Sequence, residues 1–372
     1  MSPIGRALEE SGTTEPAGFA LDVVVLGRPF RLIGRHPATR DALARQWSRC
    51  RPTDASPGRT PPEEIREVPV RDREGYPADG GYSLTTTLTA AAIEQHVGRR
   101  LMFHAAGLAT DDGRVVALIA PSGHGKTTAA TTLCADRFGY VTDETVSVGD
   151  DLSVDAYPKP LSVVTDPKRP YSKAQHSPDD LGLRQCPECL VLDRMIVLDR
   201  REDADPPAVR PLDGPEALMA VMPQISALTS LPRPLERLCR TIDRCGGLLR
   251  LSYRQIGHAA PLVSDLTARP AVATDPTWEP WHPPGGRPAE WTDAVVFGAG
   301  DQPAQGAVVL VGRVPVGLGP LGVAVVEAAL AGLGGEELVA EIVELAGPHP
   351  RAAELVGKLA EDLRRAGVIP HP

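Results

Sequence analysis

No apolar run in this 372-residue chain approaches the roughly 18 residues that a membrane-spanning helix needs. The longest candidate, Val323 to Leu333, is short and rich in Ala and Gly. The N-terminal Met1-Ser2-Pro3-Ile4-Gly5-Arg6 lacks the apolar core and cleavage pattern of a secretory signal. A soluble, cytoplasmic protein with no membrane association is therefore expected. Cysteine is sparse, with six residues at 50, 134, 186, 189, 239 and 245, too few for a disulfide scaffold in a chain this long. Cys186-Pro187-Glu188-Cys189 has metal-like spacing, but Cys239 and Cys245 are five residues apart and no His stands at the expected offset. Reduced thiols are the simpler reading, with a structural zinc as the alternative. Positive charge is also in deficit: 39 Lys and Arg against 48 Asp and Glu leave a net charge of −9. General nucleic-acid binding, which needs a basic footprint, is not expected.

What the chain has in quantity is Gly and Pro, 36 and 38 residues, which predict many irregular connections. Its length suits two or three domains at about 100–200 residues each. Residues 1–95 read as a small N-terminal α/β region, with a strand at Phe19–Gly27, a hairpin partner at Phe30–Ile33, helices near 38–47 and 86–97, and a loop over 51–62. Residues 96–270 read as the main α/β domain. Leu101–Ala109 is a strand pattern, Asp111-Asp112-Gly113 a hairpin turn, and Arg114–Ile119 a buried strand. Tyr140–Thr142, Met195–Leu198 and Leu248–Tyr253 predict further strands, and 215–222 and 234–243 predict helices. The Pro-, Trp- and Gly-rich stretch 271–291 reads as a linker. Residues 292–372 then read as strands at 294–297, 307–311 and 314–316, followed by three helices.

Chemistry concentrates between the buried strand and the helix after it. The run Ala120-Pro121-Ser122-Gly123-His124-Gly125-Lys126-Thr127-Thr128 joins them directly. Gly123 and Gly125 allow backbone N–H groups to turn toward phosphate oxygens, and the helix N-terminus adds favourable dipole charge. Lys126 reaches toward the β- and γ-phosphates, and the Thr127 hydroxyl suits Mg²⁺. Ser122, Gly123, His124, Gly125, Lys126, Thr127 and Thr128 are thus the candidate ATP cradle. Ala120 stands where a first Gly is usual, a departure that only a tight turn would penalise. Asp143 and Glu144 follow the next short strand. One carboxylate here suits Mg²⁺ and the other can accept the proton of an attacking hydroxyl, although adjacent residues of an extended chain point to opposite faces. A helix cap or turn pair is the alternative reading. His104, at the end of the strand preceding the hairpin, either donates to a phosphate, orients the acidic pair, or is structural.

Together, His104-Ala105-Ala106-Gly107, the loop from Pro121 to Thr128, Thr142-Asp143-Glu144 and Tyr157-Pro158-Lys159-Pro160 resemble the catalytic domain of HPr kinase/phosphorylase and its divergent relatives, over residues 100–265. The resemblance implies an α/β P-loop kinase domain that uses ATP and Mg²⁺. It also implies residue roles: Lys126 and Thr127 as phosphate and metal ligands, His104 and Lys126 in the catalytic set, Asp143 as base, and Glu144 as the second, metal-side carboxylate. Glu144 departs from the family's second Asp. No counterpart of the family's second signature loop is present, so phosphorolysis and HPr itself as substrate are not expected. The family commonly forms oligomers, which implies a homo-oligomer.

The C-terminal strands and closing helices, from Ala307-Val308-Val309-Leu310 to Leu363-Arg364-Arg365-Ala366-Gly367, resemble PqqD-like peptide-recognition domains of winged-helix type, a small α+β fold. From Glu290 to Pro372 five Lys/Arg face eleven Asp/Glu, a net −6 that disfavours DNA. The combined expectation is an ATP-dependent kinase of a Ser or Thr hydroxyl on a peptide. That peptide is captured by the C-terminal domain, as for precursors of ribosomally made natural products, with the linker raising effective concentration. A small-molecule kinase and a non-catalytic nucleotide-binding regulator or peptide chaperone are the alternatives.

Overall fold

The computed structural model describes residues 18–52, 65–70, 81–164, 173–298 and 304–371. Contacts divide the chain into two compact units, Met1–Thr89 with Lys159–Ser177, and Ala90–Pro158 with Pro178–Pro372. In the first unit, β1 (Phe19–Val25) and β2 (Arg28–Gly34) form an antiparallel hairpin turned at Leu26 and Gly27. Strand alternation buries Leu21, Val23 and Val25 from one strand and Phe30 and Leu32 from the other. α1 (Pro37–Gln46) starts with Pro in its first turn, and the residue after it, Trp47, is fully buried. β3 (Arg66–Pro69) extends the sheet in parallel with β2. Most of the loop expected over 51–62, from 53 onward, lies outside the described residues, as do residues 1–17.

α2 (Gly81–His96) leads into the second unit. There β4 (Leu101–Ala109) and β5 (Arg114–Ile119) form the expected hairpin about Asp112-Gly113. α3 (Lys126–Cys134) follows, then β6 (Gly139–Thr142) and β7 (Thr145–Val148), both antiparallel to β4. β8 (Leu161–Val164) and β9 (Lys173–His176) pair antiparallel within the first unit. The chain then returns as β10 (Val191–Arg200), parallel to β5. After it come β11 (Ala208–Leu212), α4 (Gly214–Val221), the short β12 (Ile225–Ser226), α5 (Pro234–Arg244), β13 (Leu248–Tyr253) and α6 (Ile256–Thr267). The sheet runs β11-β13-β10-β5-β4-β12, with β6 and β7 also paired to β4. Its central strands β5, β10 and β13 are parallel, so their carboxyl ends share one edge. In such sheets that edge is where ligands bind.

The C-terminal strands form a second sheet in the order β14 (Trp278–Pro280), β15 (Trp291–Phe297), β16 (Gly306–Val311), β17 (Val314–Leu318), all antiparallel. α7 (Pro320–Leu330), α8 (Gly335–Ala346) and α9 (Ala352–Arg365) follow. Alternation along β15 and β16 buries both faces. Ala294, Val296, Ala307 and Val309 pack with Val323, Val326 and Ile342 of these helices. Val295, Phe297, Val308 and Leu310 instead belong to the same core as β4, β5, α4 and α5. Asp293 ties the two together through its buried carboxylate. Oδ2 accepts the N–H of Leu235 at the start of α5 (2.8 Å), and Oδ1 accepts that of Ala294 (2.9 Å). The 271–291 segment, expected as a linker, contains β14 and two anchored tryptophans. Trp278 Nε1 donates to Asp243 Oδ2 at 2.7 Å, and Trp281 Nε1 to Glu327 Oε1 at 3.2 Å. Proline and glycine make the stretch look irregular, but its aromatic rings have cores to enter.

Candidate active site

The loop between β5 and α3 has the backbone its sequence predicts. Gly123 and Gly125 adopt positive φ, +82° and +86°, and nothing lies within 4 Å of the place where a Cβ on Gly123 would stand. The space beside Gly123 is open and would admit a group where a side chain would otherwise stand. Ala120 keeps an ordinary negative φ, so its methyl replaces the usual Gly without strain. No side chain caps α3, leaving its first N–H groups to an anion. The helix itself is held by Ala129, Ala130, Leu133 and Cys134, which face the core.

Lys126 carries its charge in a place that is costly for it. It is only 6 % exposed, and its Nζ donates to the carbonyls of Ala120 (2.8 Å) and Pro121 (3.0 Å). Burial pushes its ammonium down to about 8, while Asp143 and Glu144 pull it back up. A buried cation whose hydrogen bonds go only to neutral carbonyls favours an incoming anion. His124 and Ser122 stand exposed on the loop, with His124 Nδ1 3.1 Å from the Ser122 carbonyl. Thr128 lies in the first turn of α3.

β6 ends at Thr142, so strand alternation stops before the acidic pair and the two carboxylates are not forced apart. Asp143 is buried, and both its oxygens receive hydroxyls: Thr127 Oγ1 donates to Oδ2 at 2.7 Å and Tyr140 to Oδ1 at 3.0 Å. Glu144 is half-buried, near enough to Lys126 and His104 to act on both electrostatically. His104 lies 3.1 Å, through Nδ1, from the Glu144 carbonyl. A carbonyl only accepts, so Nδ1 carries the proton and Nε2 presents a lone pair. Burial first, and then the charge of Lys126, lowers the His104 pKa. With Nδ1–H directed at the Glu144 carbonyl, donation from Nε2 would need a second proton.

The residues fit a magnesium–triphosphate group in kind. Mg²⁺ is usually held by one or two carboxylates plus phosphate oxygens, and Thr127 and Asp143 are already paired beside the cradle. Tyr140 was not among the candidates from sequence; only its position three residues before Asp143 hinted at it. The cysteines play no part here. Cys239 and Cys245 are buried in the core, where burial pushes the Cys245 thiol up to about 12 and the Cys239 thiol upward too. Among the described residues, no three His, Cys, Asp or Glu side chains gather as a metal cage.

No family model matches this chain, and no curated protein matches it. Among solved structures it is similar to the Hpr(Ser) kinase/phosphatase from Coxiella burnetii, at 14 % identity and a TM-score of 0.27, over 45 % of this chain and 93 % of that one. A likeness that distant assigns no residue a role, and the site's chemistry stands on its own side chains.

Proposed function

We propose that this protein is a magnesium-dependent phosphotransferase that moves the terminal phosphoryl group of ATP to a Ser or Thr hydroxyl of a peptide. The observation that carries this reading is the junction of β5 and α3. There a buried Lys126 and an uncapped helix start adjoin the Thr127–Asp143 hydroxyl–carboxylate pair. The backbone N–H groups and Lys126 would hold the phosphates. Thr127 and Asp143 would hold Mg²⁺, which supplies charge neutralisation at the β- and γ-phosphate oxygens.

The distances favour exchanging the two carboxylate roles that the family resemblance implies. Asp143 is bonded to the metal-side hydroxyl, whereas Glu144 stands beside it with its longer reach. We therefore assign Asp143 to the metal and Glu144 to the acceptor hydroxyl's proton, with His104 holding the Glu144 backbone. Lys126 stabilises charge on the transferring group.

The peptide assignment rests on the C-terminal sheet. β17 is its terminal strand, so one edge offers backbone groups to an added strand. Val314 at its start is 62 % exposed. The test is incubation of the full chain with Mg·ATP and Ser- or Thr-bearing peptides, read by mass spectrometry. Phosphopeptide formed by the wild type and lost in Lys126→Ala supports the reading. ATP turnover with no peptide modified would move a small-molecule acceptor ahead.

A further inference from the structure

The strand order around the cradle is directional. Across the sheet it runs β6, β4, β5, β10, β13, with the phosphate loop on β5 in the middle. Asp143 and Thr127 mark the β6 side as the place for metal and terminal phosphates. A nucleotide anchored that way must leave the cradle toward the opposite side, across the carboxyl ends of β10 and β13.

Two residues wait there. Arg200 closes β10 and Tyr253 closes β13, and the two are paired in register. Residues in register on neighbouring strands project from the same face. The Tyr253 ring is buried, and its hydroxyl lies 3.6 Å from where a Cβ on Gly125 would stand. That face is therefore the one on which α3 begins, and Arg200 shares it. One residue back, Asp199 and Ser252 project from the other face and bond to each other at 2.9 Å. Arg200 itself is exposed, and its Nε makes one long bond, 3.4 Å, to the Arg254 carbonyl. Among the described residues no carboxylate forms an ion pair with it, unlike Arg201 with Asp203 and Arg254 with Glu202. A planar cation left uncommitted at the mouth of a phosphate cradle is suited to stack on a flat ring.

We propose that the nucleoside end of the nucleotide lies over the ends of β10 and β13, with the Arg200 guanidinium stacked on the base. This rests on reading the Gly123–Thr128 loop as a triphosphate cradle. Tyr253 supports the floor of that subsite by packing against the loop at Gly125.

The experiment compares Mg·ATP with Mg·tripolyphosphate, which has the phosphates but no nucleoside, by calorimetric titration of the full chain. Arg200→Ala is expected to weaken ATP about five- to tenfold, the lower part of the range for loss of a stacking partner, and to leave tripolyphosphate unchanged. Arg200→Lys, which keeps the charge and loses the plane, is expected to behave like Arg200→Ala toward ATP. Lys126→Ala is expected to weaken both ligands. Unchanged ATP affinity in Arg200→Ala overturns the proposal, as does an equal loss for both ligands, which would make Arg200 a phosphate contact. Full ATP affinity in Arg200→Lys overturns the stacking. A wild type that binds tripolyphosphate as tightly as ATP also overturns it while leaving the cradle reading intact. A wild type that binds neither ligand ends both.

Discussion

Removal of residues 291–372 should unfold the protein rather than release a working phosphate-binding domain. Val295, Phe297, Val308 and Leu310 of the C-terminal sheet are buried in the core shared with β4, β5, α4 and α5. Fully burying a side chain of this size stabilises by about 1.5–3 kcal/mol, so the four together contribute about 6–12 kcal/mol. A domain of ordinary stability has only about 5–15 kcal/mol. The deletion also strips the Leu235 N–H of its Asp293 acceptor at the start of α5, a cap whose loss typically costs about 1 kcal/mol. Residues 1–290 alone should therefore show no cooperative thermal transition by circular dichroism, and little soluble expression. The milder Asp293→Ala should melt cooperatively, several degrees below the wild type. A truncated protein that melts cooperatively within a few degrees of the full chain, with its affinity for Mg·ATP retained, would refute the shared-core argument. The C-terminal sheet would then be a tethered module of the kind that its Pro-rich approach suggests.

Further predictions concern charge. Lys126 in the folded state sits at about 8, below its ordinary 10.5. Its stability contribution is therefore full above 10.5 and lost as pH falls through 8. Lys126→Met should abolish nucleotide binding yet melt at or above the wild-type temperature at neutral pH, and a lower melting temperature would show that the carbonyl bonds outweigh the burial of charge. Asp243, raised above its ordinary 3.8 by burial, contributes stability present below 3.8 and lost as pH rises through its raised value. Asp243→Asn keeps an acceptor for Trp278, so its melting temperature should gain on the wild type as pH rises above Asp243's ordinary 3.8; a constant offset would refute the shift. Tyr140→Phe removes a hydroxyl from Asp143 and should raise the Mg²⁺ concentration needed for half-maximal turnover, with metal-free ATP affinity unchanged. Glu144→Gln should lower turnover by about 10²–10⁴-fold, the usual contribution of a general base, with ATP affinity retained, and a near-normal rate would return the base role to Asp143.

The sheet around β5 was legible because short apolar runs there are bounded by unambiguous punctuation, Asp112-Gly113 before and Gly123 to Gly125 after. α6 escaped because Gly257 and Pro261 read as breakers, although Ile256, Ala259, Val263 and Thr267 fall on one buried face. β11 escaped for a similar reason: Pro211 weakens a strand pattern, and an edge strand tolerates it. In the site, the residues of one contiguous motif could be named from sequence. Pairings between separate elements, Thr127 with Asp143 and Arg200 beside Tyr253, depend on packing and register that no local pattern encodes. A single residue frees Asp143 and Glu144 from strand alternation, since β6 stops at Thr142. The 271–291 stretch misled because composition records irregularity, and says nothing of where Trp278 and Trp281 insert.

Phosphoryl transfer itself is followed through the terminal phosphate of ATP. The full chain is incubated with Mg²⁺, ATP labelled in its γ-phosphate and a Ser- or Thr-bearing peptide, beside the Lys126→Ala and Asp143→Asn variants. Label is expected on the peptide hydroxyl with the wild type and none above background with either variant. Label transfer that survives loss of Lys126 would contradict this expectation.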